Sequence, residues 1–399
     1  MEVQAFYERY PYPPPIDDLD AYRRQWQDAG RRRADFHLFW PTRPYREDYP
    51  ILVAGCGTSQ AAKYALRWPA AQVTGIDFSA TGVRHTEQLK RKYKLDNLEI
   101  RQLPLERASD LGKTFDQVVC TGVLHHLPDP GVGLRALRGV LEPHGAMHLM
   151  VYAPYGRSGI YMLQEFCRRV GFCAPAGDLR ELLATLEALP ADHPLKRLLR
   201  EAPDFRSEAG LADALLHPQD RAYSVPQLFA FLNANGLTFG RWLRQAPYSL
   251  EAGLLSRIPR AVRAATIAPE DQYAAAELFR GNMMRHSVIA YRDDSAGIPR
   301  ISFDGDRWLG YIPIRGPDTV TVRERLPAGA AAILINRAHA HTDIHLTVHP
   351  SEMRLLEAID GKRTIREMLA SEAERDAARS FFERLWWHDQ VVFDAASPR

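Results

Sequence analysis

Apolar residues along this chain fall into two rhythms, short unbroken runs and longer stretches with a helical period. The run from Ile51 to Ala54 stops at Gly55, Cys56 and Gly57. A helical stretch of about 60 to 66 follows, and a second run, Gln72 to Ile76, ends on Asp77. Unbroken apolar runs between turn residues predict buried strands, so the order is strand, glycine turn, helix, strand. The rhythm then repeats. Ser79 to Lys94 has a helical pattern, with Ser79 or Thr81 as cap and Lys90, Arg91, Lys92 and Lys94 at the end that favours cations. Further strands are expected at Leu98 to Arg101, Gln117 to Cys120, Ala146 to Tyr152, Leu237 to Leu243 and His286 to Arg292. Such alternation predicts a mainly parallel sheet covered on both faces, with ligands beyond the carboxyl ends of its strands.

Three stretches depart from that rhythm. The opening Phe6 to Pro15 is aromatic and proline-rich, so an extended arm is expected, with a helix starting only near Asp17 or Asp18. It reads either as a strap on the domain surface or as a lid over the ligand cleft, with Tyr7 and Tyr12 as its contacts. Leu19 to Phe39 is helical and arginine-rich, a solvated face. Between the fifth and seventh strands lie two helical inserts, about 155–225 and 246–285. The first is broken at Pro190, Pro194 and Pro203, and the helix that follows it starts at a Ser224 cap with Pro226 just inside. Together they are long enough to cap a cleft and to carry substrate specificity. Beyond a linker-like change of character from Gly297 to Asp318, residues 297–399 read as a separate α+β domain. It has short strands at Thr319 to Arg325 and Ala331 to Asn336, then helices, a DGKRT turn and a strand from Gln390 to Phe393.

Composition narrows the picture. Of 399 residues, 46% are apolar and 25% charged, which suits a two-domain globular chain. Fifty-one basic against 49 acidic side chains leave +2, so no overall footprint for nucleic acid exists. The cysteines Cys56, Cys120, Cys167 and Cys173 show neither disulfide nor zinc spacing. Free thiols, no apolar leader and no long apolar window lead to the expectation of a cytoplasmic protein without a membrane span.

Glycine at 55 and 57 removes any Cβ between the main chain and a ligand, and the amides at the next helix start can face an anion. Asp77, about twenty residues on, is placed to accept the hydroxyl hydrogens of a ribose. No GxGxxG is completed, because Gln60 stands at the third position. The stretch FDQVVCTGVLHHLPDP, Phe115 to Pro130, adds the decisive residues. With the glycine turn, Asp77 and the LEPHG turn from Leu141 to Gly145, it resembles the class I S-adenosylmethionine-dependent methyltransferases.

That resemblance implies a Rossmann-like, doubly wound seven-stranded sheet over residues 51–296, with the last strand antiparallel, and S-adenosylmethionine as cofactor. Gly55 and Gly57, with Ala54 and Cys56 beside them, match the glycine loop under the methionine part. Asp77 matches the ribose-holding acid, and Phe78 lies near the adenine. Gln102, Leu103 and Pro104 fall where the family contacts adenine. Gly122, Val123 and His125 match the segment flanking the transferred methyl. Residues 1–50 would lie over the cofactor cleft. Val53 stands in place of an acid and Ser59 in place of a third glycine. The competing reading takes both as a degenerate cofactor loop and makes the chain a non-catalytic peptide- or partner-binding module.

His125 is the candidate base, because an imidazole takes a proton near neutral pH; the histidines can equally cap the turn before Pro128. Tyr152 is the second catalytic candidate. Tyr12, Tyr155, His217, Arg221 and Tyr223 are candidates for binding the acceptor, a small molecule or a peptide or protein side chain. His339, His341, His345 and His349 would share one face of an uninterrupted strand, but neither half has a zinc signature, so no metal is expected. Around Ile359 to Ile365 the chain resembles the winged-helix peptide-binding domain of pyrroloquinoline quinone biosynthesis. Such a domain is a candidate docking or homodimerisation module, and its acidic helices argue against DNA.

Overall fold

A computed structural model describes residues 2–11, 13–172, 178–193, 195, 196, 199, 207–259, 267–295, 297 and 300–396. Tyr12, Cys173, Pro194 and Pro203 lie outside the described residues. Seven strands, β1 (Pro50–Ala54), β2 (Gln72–Asp77), β3 (Leu98–Gln102), β4 (Phe115–Thr121), β5 (Leu141–Tyr152), β6 (Leu237–Trp242) and β7 (Arg285–Arg292), form one sheet. Their order is β3-β2-β1-β4-β5-β7-β6. β1 to β5 pair in parallel, and β7 runs antiparallel between β5 and β6. This is the Rossmann-like sheet expected from the sequence. Its order reverses between β1 and β4, where the carboxyl ends open a crevice.

The N-terminal residues depart from the expected arm. α1 (Glu2–Arg9) is a helix, followed by α2 (Asp20–Trp26) and α3 (Ala29–Phe39). The prolines begin only at Pro11, so they stop α1 rather than prevent it. Tertiary contacts supply what a short helix lacks in isolation. Phe6 and Tyr10, one turn apart, are buried in a cluster with Ile160, Leu163, Leu182 and Leu211 of the first insert. Glu8 accepts the Ala80 N–H at 2.7 Å and the Thr81 hydroxyl, at the start of α5 (Ala80–Tyr93). A carboxylate there satisfies helix N–H groups and meets the positive end of the helix dipole. The expected single helix over Leu19 to Phe39 is split because Asp28 accepts the Gly30 N–H at 2.8 Å and starts α3 as its N-cap.

α4 (Gln60–Arg67), α3, α5 and the C-terminal segment cover one face of the sheet. α6 (Pro130–Gly139), the helix Val225–Ala234 and Tyr248 and Met283 of the second insert cover the other. Ser224 is the expected N-cap, and it forms a capping box with Gln227, whose Oε1 accepts the Ser224 N–H at 2.9 Å. The first insert contains α7 (Ser158–Val170) and the helices Asp178–Glu187 and Glu208–Leu216.

After β7 the chain forms β8 (Ile312–Arg315), a β9–β10–β11 meander (Thr319–Val322, Ala332–Asn336, Leu346–Val348), three helices and β12 (Val391–Asp394). The DGKRT turn is held by Asp360, which accepts the Lys362 and Arg363 N–H groups at 2.8 and 3.0 Å. β12 pairs antiparallel with β8, upstream of the helices. Trp308, Phe381, Phe382 and Phe393 join Phe39, Trp40 and Ile289 in one buried cluster. Each such side chain contributes about 1.5–3 kcal/mol by leaving water. His339, His341, His345 and His349 do not share a strand: only Leu346–Val348 is extended, and His349 is the N-cap of the helix Pro350–Ala358.

His37 and His388 are 0% and 6% exposed. Burial moves both from the ordinary 6.5 down to about 4, against the pull of Asp394 on His37. In the unfolded chain they regain protons near pH 6.5, so the unfolded state binds more protons between about pH 6.5 and 4. Stability is therefore expected to fall as pH falls through that window, by up to about 1.4 kcal/mol per pH unit from each histidine. Urea midpoints at pH 7 and pH 5 measure this, and substituting both histidines by glutamine should lessen the slope by their share, the other buried histidines keeping the rest.

Candidate functional site

β1 leads into a turn in which Gly55 and Gly57 have φ of +68° and +54°, the left-handed region that glycine tolerates. A Cβ at Gly55 would come within 2.3 Å of a Val123 methyl, so the β4 loop closes directly on this turn. Gly55 and Cys56 both donate their N–H to Ile76 O, at 2.8 and 3.0 Å. Asp77 then locks the loop: its Oδ2 accepts the Gly57 N–H at 2.7 Å and its Oδ1 accepts the Ser79 N–H at 2.9 Å. Burial holds the Asp77 carboxyl above its usual range, with the Ser79 and Gly57 N–H groups pulling the other way. Each oxygen keeps further lone-pair capacity for a ligand hydroxyl.

The missing third glycine has a structural equivalent that periodicity does not expose. Gly75 on β2 faces Ala61 on α4, where an added Cβ would come within 2.7 Å of the Ala61 methyl. Close helix–strand packing is thus achieved from the strand. Val53 is fully buried in the core.

Across the crevice, β4 ends at Thr121, and the next residue, Gly122, has a φ of +78° and an N–H that donates to Met150 O at 3.1 Å. A short helical turn, Leu124–His126, follows. His125 is 0% exposed, and neither ring nitrogen has a partner. Burial, with His126, Arg157 and His217 nearby, pushes it well below the usual histidine range and keeps it neutral. Its ring packs on Tyr152 with centroids 4.0 Å apart.

His126 is placed differently. Its Nδ1 lies 2.9 Å from Gln219 O, and because a carbonyl only accepts, Nδ1 carries the proton and the neutral ring's lone pair sits on Nε2. The Gln219 N–H donates to His217 Nδ1 at 3.0 Å, which leaves His217 with its hydrogen on Nε2. One peptide residue therefore sets two neighbouring imidazoles, with ring centroids 4.0 Å apart, in opposite tautomers. Burial and His126 push His217 down to about 3. Behind the pair, the Tyr7 hydroxyl donates to Asp213 Oδ1 at 2.9 Å and the Tyr152 hydroxyl lies 3.4 Å from Oδ2.

Ligand-type atoms of His126, Asp213 and His217, and of His125, His126 and Asp220, come within 4.8 Å of one another. The hydrogen bonds above already engage Asp213, His126 Nδ1 and His217 Nδ1, so the first group is a proton-ordered network.

A cavity of about 1590 Å³ joins these parts. Of the expected cofactor residues, Gly55, Cys56, Gly57, Asp77, Phe78, Leu103, Pro104, Gly122 and Val123 line it. Ala54, Gln102 and His125 do not: Ala54 is core, Gln102 is exposed and donates to Phe78 O at 3.2 Å, and His125 lies behind the wall. Tyr152 lines the cavity. Tyr155, His217, Arg221 and Tyr223 do not, and Tyr155 is 41% exposed. His126, Gln219, Arg157 and Tyr7 take their places in the wall. Only the HH pair and the aromatic arm hinted at this, because Gln219 is tied to His126 across more than ninety residues of chain.

Comparison with known proteins agrees with this geometry. Residues 52–147 match the family of methyltransferase domains. The chain is 35% identical over 249 residues to an uncharacterised protein of Synechococcus, covering 59% of this chain and 58% of that one. It is 32% identical over 96 residues to the ubiquinone biosynthesis O-methyltransferase of Albidiferax ferrireducens, covering 24% and 38%. The chain therefore spans less than two thirds of either relative. Among solved structures, PKMT2 from Rickettsia typhi, in complex with AdoHcy, superposes with a TM-score of 0.65 at 15% identity, covering 96% of this chain and 77% of that one. At that identity the likeness is one of fold, and it takes in the segment beyond the methyltransferase domain. Among the described residues, no helix is long and apolar enough to cross a membrane.

Proposed function

We propose that this chain transfers a methyl group from S-adenosylmethionine to a nucleophile on a small molecule or on a peptide or protein side chain, with His126 as the general base. The observation that carries the reading is the meeting, in one cavity, of a Cβ-free turn locked by Asp77 and a histidine whose Nδ1 proton is fixed. Gly55, Cys56 and Gly57 would hold the methionine part, Asp77 the ribose, and Phe78, Leu103 and Pro104 the adenine. The cofactor, when bound, supplies a methyl group activated by its sulfonium.

Methyl transfer is an in-line displacement, so the protein's share is to position the nucleophile and exclude water. Tyr152 and Tyr7, both held on Asp213, form a fixed wall beside Gly122. His126 lines the same wall, and its Nε2 lone pair takes the proton of an acceptor O–H or N–H while Gln219 O keeps the ring from turning. The role falls to His126 rather than His125 because His125 has no face on the cavity.

Calorimetric titration with S-adenosylhomocysteine is expected to give micromolar binding, about 8 kcal/mol. His126→Ala should leave that affinity unchanged and lower transfer of radiolabelled methyl into peptide and small-molecule pools by a factor of about 100 or more. Absence of binding at millimolar ligand would overturn the reading and favour the partner-binding module.

A further inference from the structure

The cavity exceeds the roughly 300–1,000 Å³ of an ordinary small-molecule site. Tyr152, Met150 and His148 alternate along β5 and share one face, so they trace a route from the strand end onto the sheet. That route reaches an inner chamber bounded by α3, α4, β6, β7 and the C-terminal segment at Asn336, His339 and Asp389.

The chamber is unbalanced in charge. Arg31, Lys63, Arg67, Arg241, Arg244 and Arg285 line it against only Asp35, Asp318 and Asp389. Asp318 is shared between Arg31 and Arg244, at 3.3 and 3.6 Å, while Asp35 pairs with Arg67 at 3.3 Å and Asp389 with Arg241 at 3.2 Å. Among the described residues, the side chains of Lys63 and Arg285 have no hydrogen-bond or ion-pair partner. Arg241 is 9% exposed with Nη1 unpartnered, and both ring nitrogens of His148 are buried and unpartnered. The field is felt locally: burial, then Arg67, Arg244 and Arg285, push His148 down to about 3, so it stays a neutral donor. Arg285 is exposed and Lys63 half-buried, whereas Arg241 Nη1 and the His148 ring nitrogens are withdrawn from water, where a polar group without a partner is costly unless a ligand meets it.

We propose that this inner chamber is the subsite for an anionic group, a carboxylate or a phosphate, on the molecule that receives the methyl group. Lys63 and Arg285 supply unspent charge, Arg241 Nη1 and the His148 ring N–H supply directed donors, and the other arginines set the potential. That the anion belongs to the methyl acceptor rests on the function proposed above; anion binding itself does not.

The test is calorimetric titration of the full chain with inorganic pyrophosphate and, separately, with glutarate, at constant ionic strength, with S-adenosylhomocysteine titrated into the same samples. Lys63→Met and Arg285→Met remove the two unpartnered cations without stranding a buried carboxylate, and Arg107→Met, exposed in its own ion pair with Asp110, is the control. Saturable binding of one anion is expected, weakened at least tenfold by either chamber variant and unchanged in the control, with S-adenosylhomocysteine affinity preserved. Preference for pyrophosphate assigns a phosphate, and preference for glutarate a carboxylate. No heat from either anion, or binding that ignores both variants, overturns the proposal. So does a loss of S-adenosylhomocysteine affinity alone in Lys63→Met, which would move Lys63 to the cofactor. Variant-sensitive anion binding without S-adenosylhomocysteine binding would sink the methyl-transfer reading and leave the chamber standing as an anion site.

Discussion

Asp77→Ala is expected to weaken S-adenosylhomocysteine binding at least 100-fold, about 3 kcal/mol, while the protein stays folded. The carboxylate does two jobs. It holds the glycine turn by accepting the Gly57 and Ser79 N–H groups, and it faces the cavity where the ribose hydroxyls would lie. Alanine leaves both N–H groups without their acceptor, at about 1–3 kcal/mol for a buried donor, and withdraws the ribose acceptor as well. Asp77→Asn separates the contributions. Its single acceptor oxygen can keep one backbone donor and its size keeps the loop packed, so its melting temperature should fall less than that of the alanine variant while affinity still falls about tenfold. Calorimetry with thermal melts on both variants decides the matter: unchanged affinity in Asp77→Ala would remove the ribose assignment.

The parts of the fold legible in the sequence are those whose signal is local. Apolar runs, Gly55 and Gly57, the Ser79 and Ser224 caps and the carboxylate after β2 each declare themselves within a few residues, and each falls where the pattern put it. What was not legible depends on partners far away in sequence. α1 forms because Glu8 meets the start of α5 and Phe6 meets the first insert, contacts that no proline count in the arm reveals. His126 faces the cavity and His125 does not, and the residue that orients His126 is Gln219, far along the chain. Equally, Gly75 on β2 lets α4 pack close, where the sequence pattern shows only that Ser59 stands in place of a loop glycine. The cationic chamber was invisible for the same reason: its charges come from α3, α4, β6, β7 and the β7-to-β12 segment, and a net charge of +2 averages them away.

Arg241→Met is expected to destabilise the chain by about 3–5 kcal/mol, the usual cost of stranding one partner of a buried ion pair. Arg241 lies on β6 and Asp389 just before β12, and both are at most 9% exposed. Arg241 Nη2 reaches Asp389 Oδ1 at 3.2 Å, its guanidinium lies 4.1 Å from the Trp386 ring, and Asp389 Oδ2 accepts the Ala246 N–H at 2.9 Å. Burial draws Arg241 down to about 10 and pushes Asp389 up, so each is held charged chiefly by the other. Methionine fills much of the volume but leaves the carboxylate without its counter-charge. The double variant Arg241→Met, Asp389→Asn should recover most of the loss. Asparagine keeps an oxygen for the Ala246 N–H, carries no charge, and suits the left-handed backbone at position 389, where φ is +55°. Urea midpoints of the two single variants and the double variant measure the coupling, and additive losses would show that the two charges do not depend on each other. A coupling of several kcal/mol would mean that the C-terminal segment and the sheet unfold together, so that the inner chamber between them is part of the folded core of the protein.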